Sequence, residues 1–136
     1  MILRPIRRRR WHLYAACNAR GDCALLDFLT PLGPGDAIAG DKGRMLALLD
    51  YVADQGPPRN AMVSHIVDRD AGIWEFIKGR VRVLWFYDEG RRLVFSHGFQ
   101  KKTQRTPPVE LTAARQVQQD YFKARKVGDL RILEEE

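Results

Sequence analysis

The sequence predicts an α+β fold, in which an N-terminal strand and two helices precede an antiparallel β meander and a C-terminal helix closes the chain. "IWEFIK" (73–78), "RVRVLWFYD" (80–88) and "RLVFSHGF" (92–99) are rich in β-branched and aromatic residues and are separated only by the turn signals Lys78-Gly79 and Glu89-Gly90. Strands so closely joined must run antiparallel, because a parallel pair needs a crossover of about a dozen residues or more. Met45, Leu48, Leu49 and Val52 before this block, and Leu111, Ala114, Val117 and Tyr121 after it, repeat at helical spacing. The 136 residues suffice for a single core that buries about two thirds of the unfolded surface.

Along the chain, residues 1–8 read as a basic N-terminal arm, 9–126 as one domain and 127–136 as a tail. "RRWHLYAAC" alternates well enough for a first strand over roughly 10–17. Asp22 can cap a short helix carrying Leu25, Phe28 and Leu29, which ends before Pro31. "PLGPGDAIAGDKG" is a loop by its glycines and prolines. The second helix follows it and stops at Gly56-Pro57. Both helices are expected to cover the sheet. The last helix spans about 107–125, with Thr106 as N-cap and Pro107 in its first turn. The tail "VGDLRILEEE" has little to hold it and is expected to fray.

The net charge of +6 is unevenly placed. Five arginines lie in the first ten residues and three glutamates end the chain, whereas residues 78–105 carry eight basic residues against Asp88 and Glu89. A field concentrated in one segment suits a polyanionic partner, and a solvated charged face is the alternative. Arg7 to Arg10 followed by "WHLYAAC" imitates an export signal, but its apolar part is about seven residues long and holds His12, too short for the usual core. No run approaches the roughly 18 apolar residues of a membrane span. A cytoplasmic protein with no membrane partner is expected. Cys17 and Cys23, with His12, His65 and His97, make no zinc spacing. The cysteines read as apolar fillers, with a disulfide as the alternative; no metal and no cofactor are expected.

"HGFQKKTQRTPP" (97–108) puts His97, Lys101, Lys102 and Arg105 directly before the last helix, without an acid among them. Helix N-termini offer N–H groups and partial positive charge, so this corner could hold a phosphodiester. A two-residue turn at Glu89-Gly90 would put Arg82 opposite His97; a three-residue turn would put it opposite Ser96, with Arg92 and Val94 on the same side. Both registers are open from the sequence. Each candidate also has an ordinary structural reading: His97 as a hydrogen-bonding strand residue, Arg82 as the partner of Glu75, Tyr121 as packing. Trp74, Trp85 and Phe86 read as sheet-face residues, with base stacking as the alternative. There is no glycine-rich phosphate loop, nucleophile elbow or dinucleotide fingerprint. One reaction on a polyanion needs only positioned side chains: in RNA the 2′-hydroxyl attacks its neighbouring phosphate while the protein moves protons and neutralises charge.

The Trp74-Glu75 strand, the Arg82 strand ending in Phe86-Tyr87, and "HGFQKKTQRTP" before an Ala-rich helix containing Tyr121 resemble the phage-derived Gp49-like, or HigB-type, branch of the RelE/ParE toxin superfamily. The resemblance covers about residues 9–126, since the "LLDFL" and "MLALLDYVADQGPP" helices also match the family's opening. It implies a RelE-like fold and a toxin of a type II toxin–antitoxin system: an endoribonuclease acting on messenger RNA at the ribosome, neutralised by a cognate antitoxin, usually a helix-turn-helix protein. Carried over position by position, Arg82, His97, Lys101, Lys102 and Tyr121 become the catalytic candidates. Arg69, Lys78, Arg80, Arg92 and Arg105 are the candidates for RNA binding. A non-catalytic gyrase inhibitor of ParE type, or a basic nucleic-acid-binding module, is the alternative. One segment departs from the family, which usually has lysine–leucine–arginine before the Trp-Glu strand. This chain reads "SHIVDRDAG", where Asp68 and Asp70 would oppose RNA, and the Arg-rich start could compensate.

Overall fold

A computed structural model of the protein describes residues 1–30 and 35–133. It contains one seven-stranded sheet and three helices in the order β1 (Ile2–Arg8), β2 (His12–Cys17), α1 (Ala24–Leu29), α2 (Ala39–Gln55), β3 (Ser64–Asp68), β4 (Ile73–Lys78), β5 (Val81–Asp88), β6 (Arg92–Gln100), α3 (Pro108–Lys126) and β7 (Arg131–Ile132). The strands lie side by side as β3-β4-β5-β6-β2-β1-β7. The predicted meander stands at β4-β5-β6. It is widened on one side by β3 and on the other by β2, which runs parallel to β6.

Alternation along each strand divides the side chains between two cores. Val81, Val83, Trp85 and Phe95 face α1 and α2 and pack with Leu25, Leu29, Met45, Leu49 and Val52. Leu84, Phe86, Val94 and Tyr14 face the other way, toward Ala114 and Tyr121 of α3. The sheet is thus covered on both faces, so its central strands are apolar almost throughout; of β5, Val81 to Phe86 are all buried. Gly98 of β6 admits α1 closely: a β carbon there would stand 2.6 Å from the Phe28 ring.

Several predicted details are corrected. The N-terminal arm is strand β1, antiparallel to β2, with an irregularity between Pro5 and Arg7 that accommodates the proline. Arg7 of this strand and Arg9 just after it meet α2: Arg7 bonds Asp50 at 3.2 Å, and Arg9 bonds Asp50 at 2.7 Å and Asp54 at 3.5 Å. The tail does not simply fray, since Arg131 and Ile132 pair with Ile2 and Leu3. Asp22 does not cap α1, whose N-cap is Cys23 without a side-chain bond. Part of the predicted 31–43 loop is helix: α2 starts at Ala39, after Asp36 accepts the Ile38 N–H at 3.0 Å, and residues 31–34 lie outside the described residues. Cys17 and Cys23 form a disulfide rather than serving as free fillers. Among the described residues no helix is long and apolar enough to cross a membrane.

Candidate functional site

The meander's geometry decides which candidate side chains meet. Asp88 pairs with Arg92, so Glu89, Gly90 and Arg91 form a three-residue turn. The register then slips again between Leu84 and Trp85, because β6 carries one extra residue, Ser96. Arg82 therefore lies opposite Phe99, and neither sequence register survives along the whole hairpin. A bulge is invisible to counting from the turn.

Arg82 points to the α3 face, as does Glu75, which pairs with Leu84 on β5 and His65 on β3. Both are buried, Arg82 at 6 % and Glu75 at 3 % exposure. Glu75 is a hub: one carboxylate oxygen accepts from His65 Nε2 at 3.1 Å and faces Arg82 Nε at 3.6 Å, and the other accepts from Thr106 Oγ1 at 2.8 Å. Arg82 further donates to the carbonyls of Gly79 at 2.6 Å and Val81 at 3.1 Å. Burial depresses its pKa, while Glu75 and then Asp41 oppose that shift. Thr106, predicted as N-cap, instead anchors the approach to α3 onto Glu75, and Pro107 is the N-cap.

Above this hub lies a cleft of about 330 Å³, lined by His65, Glu75, Arg82, Lys101, Arg105 and Thr106 among others. Of the predicted residues, the structure brings together Arg82, Lys101 and Arg105. Lys102 is exposed beside them. His97 does not line the cleft: its Nδ1 meets Ser96 Oγ at 2.7 Å and its Nε2 meets Glu110 at 3.2 Å, tying β6 to the first turn of α3. Tyr121 is fully buried at the other end of β5, bonded to Asp88 and, at 3.1 Å, to Arg92. Asp88 is six residues beyond Arg82 in one strand, roughly 20 Å away. Burial first, and Asp88 second, push the Tyr121 phenol up to about 12.

The predicted RNA contacts are dispersed in the same way. Arg69 is exposed in the β3–β4 turn. Lys78 borders a hollow with Leu48 and Tyr51 of α2, on the face opposite Arg82. Arg80 reaches the Ala37 carbonyl at 3.1 Å. Arg92 stands 4.9 Å over the Tyr14 ring at the far end of the sheet. Sequence reasoning missed His65, because "SHIVD" was read as a departure from a motif and not as a strand. Its apolar and β-branched run, followed by the Asp-Arg-Asp-Ala-Gly turn, was the available signal. Among the described residues no group of three His, Cys, Asp or Glu side chains gathers as metal ligands.

In chemical terms the cleft offers two cations at its rim, a third in its floor, and an imidazole oriented by a buried carboxylate. No curated protein matches this chain. A family model described as phage-derived protein Gp49-like (DUF891) matches residues 38–119, a span that contains α2, the meander and every residue named in the cleft. The chain belongs to the phage-derived Gp49-like family.

Proposed function

We propose that this protein is the toxin of a type II toxin–antitoxin pair, and that it cleaves messenger RNA on the ribosome by the 2′-hydroxyl route, with the cleft as its active site. The observation that carries this reading is the cleft itself, where Lys101 and Arg105 overhang a His65–Glu75 pair with Arg82 in the floor. In the tautomer that donates Nε2–H from His65 to Glu75, Nδ1 is the ring's acceptor. Nδ1 takes the proton of the attacking 2′-hydroxyl, and Glu75 steadies the imidazolium that forms. The 2′-oxygen bonds to phosphorus and the bond from phosphorus to the 5′-oxygen breaks, giving a 2′,3′-cyclic phosphate and a 5′-hydroxyl. Lys101 and Arg105 neutralise the charge gathering on the phosphate, and Lys101 gives the leaving oxygen its proton. Arg82, held by two carbonyls and Glu75, adds positive charge from below and does not clamp the phosphate.

Primer extension on translating messages tests this. New 5′ ends within the ribosomal A site are expected, and Lys101→Ala and His65→Gln should each lower their yield about 10²- to 10⁴-fold, the usual weight of a proton-transfer group. Undiminished cleavage by both folded variants refutes the site. A second reading is a non-catalytic gyrase inhibitor or a basic nucleic-acid-binding module. It is favoured by Arg82 being already bonded and by Tyr121 and His97 lying outside the cleft. Inhibition of gyrase supercoiling with intact messages would select the inhibitor. Growth arrest relieved by a neighbouring antitoxin gene, with no gyrase effect, would select the nuclease.

A further inference from the structure

Ser64 and His65 are consecutive residues of β3, and a strand sends neighbours to opposite faces. His65 lines the cleft; Ser64 lines a second cavity, of about 550 Å³, on the face covered by α2. The walls of this cavity are aromatic. Tyr87 stands between Trp11 and Trp74, with ring centres 6.3 Å and 5.9 Å away. These rings are held in place. The Trp11 indole lies on the α carbon of Gly56, where a β carbon would stand 2.8 Å from it, and the Trp11 backbone N–H donates to the Ala53 carbonyl at 2.9 Å. Trp74 stacks on buried Trp85 at 5.6 Å and 20°. Tyr87 is 41 % exposed and so available to a ligand.

Two further features distinguish this cavity from a merely apolar hollow. Arg59 lines it, and the Arg91 guanidinium lies 5.9 Å over the Trp11 ring.

We propose that this cavity is a stacking site for one nucleobase of single-stranded RNA, separate from the cleft; the choice of RNA rests on the reading given above for the cleft. An apolar side chain of a protein partner would suit the rings, but it would bring nothing to the two arginines. A nucleotide brings a π face for the rings and a phosphate for Arg59 and Arg91. The cleft and the cavity are separated only by β3, the edge strand of the sheet. A single strand crossing that edge engages both, so the cavity holds a base flanking the scissile phosphate.

The test uses the full-length protein and a short 2′-O-methyl RNA carrying 2-aminopurine, which cannot be cleaved by 2′-hydroxyl attack and whose fluorescence falls when it stacks. The wild type is expected to bind and quench it. Tyr87→Leu and Arg59→Ala, both at exposed positions, should weaken binding, the former about tenfold, as for one lost base stack. Tyr87→Leu should also remove most of the quench of the bound RNA. Lys101→Ala should weaken binding but leave the quench of whatever binds. Unchanged binding and quench in both Tyr87→Leu and Arg59→Ala overturn the proposal, whether or not unmodified messages are cleaved. So does an oligonucleotide that does not bind, or a requirement for Tyr87 that concerns only a protein partner. Quenching that depends on Tyr87, without ribosomal cleavage, upholds the stacking site and removes the nuclease reading.

Discussion

Replacing Glu75 by glutamine removes one negative charge from the cleft floor and almost nothing of its shape. Glutamine keeps an acceptor oxygen, so the Thr106 bond at 2.8 Å can persist. What is lost is the counter-charge of Arg82, whose side chain is only 8 % exposed. Breaking one partner out of a buried ion pair costs about 3–5 kcal/mol. The 3.6 Å separation, and the carbonyls at 2.6 Å and 3.1 Å that remain to Arg82, bring this pair just below that range, to roughly 2–3 kcal/mol. For a domain of this size that lowers Tm by about 10 °C. Thermal and urea unfolding of Glu75→Gln, Arg82→Met and the double variant form a cycle. The double variant should be at least about 1 kcal/mol more stable than the sum of the singles, because the second change removes the uncompensated partner of the first. If Glu75→Gln unfolds within about 0.5 kcal/mol of the wild type, the size of an ordinary surface substitution, or if the singles simply add, Arg82 is not held by Glu75. The reasoning that makes it a fixed floor charge would then be wrong.

Gly79→Ala should destabilise by roughly 2–4 kcal/mol in urea unfolding, combining a left-handed conformation for a non-glycine residue with local overpacking. Gly79 has φ +56°, and a β carbon would stand 2.4 Å from Asp41, whose carboxylate accepts the Arg80 N–H at 2.9 Å. Tyr121 should titrate late: its phenol is raised from 10.0 to about 12, so the folded state holds its proton where the unfolded state has lost it. Its contribution to stability is complete below pH 10 and is lost as the pH rises toward 12. A phenolate absorbance titration should show this late group in the wild type and not in Tyr121→Phe. Reduction of the Cys17–Cys23 bond, which joins residues six apart, should lower stability by about 2 kcal/mol in the chain-entropy account. Melts with and without dithiothreitol measure it, and no change would show that the loop is equally constrained by Asn18, whose side chain accepts the Arg20 and Asp22 N–H groups at 2.9 Å and 3.0 Å.

The meander and α3 were legible because their signals are local. β-branched runs with short turns, and a Pro-started amphipathic run, each specify one element without reference to the rest of the chain; α3 begins at Pro108 and ends at Lys126, close to the expected 107–125. β1 was not legible, since its arginines and Pro5 read as an arm. It is a strand because β2 offers it a long pairing edge and Asp50 and Asp54 receive Arg7 and Arg9. β7 rests wholly on β1 and disappeared from view with it. Lys101 and Arg105, singled out by charge, line the cleft, whereas His97 and Tyr121 lie outside it for two different reasons. Ser96 inserts one residue into β6, which no count from the turn detects, and Tyr121 lies too far along α3 and β5 to share a site with Arg82. His65 reaches the cleft only through the β3–β4 pairing, a contact between segments ten residues apart.

The two acids that depart from the family pattern bear on where RNA would enter. Asp68 does not present its charge to the cleft: Arg115 of α3 binds its carboxylate, the Ala71 N–H donates to it at 3.1 Å, and these bonds, Arg115 foremost, hold its pKa below the usual carboxylate value. Gln118 adds a bond to the Ala71 carbonyl at 2.6 Å. The β3–β4 turn is thereby fastened to α3, and Asp68 serves as a clamp between a turn and a helix. Asp70 remains exposed beside it, so the potential at that end of β3 disfavours a phosphate. At the other end of the cleft, Lys101, Lys102 and Arg105 lie within five residues and no acid stands among them. Attraction and repulsion therefore act along one line, and the strand proposed to bind here is steered in over the 101–105 loop.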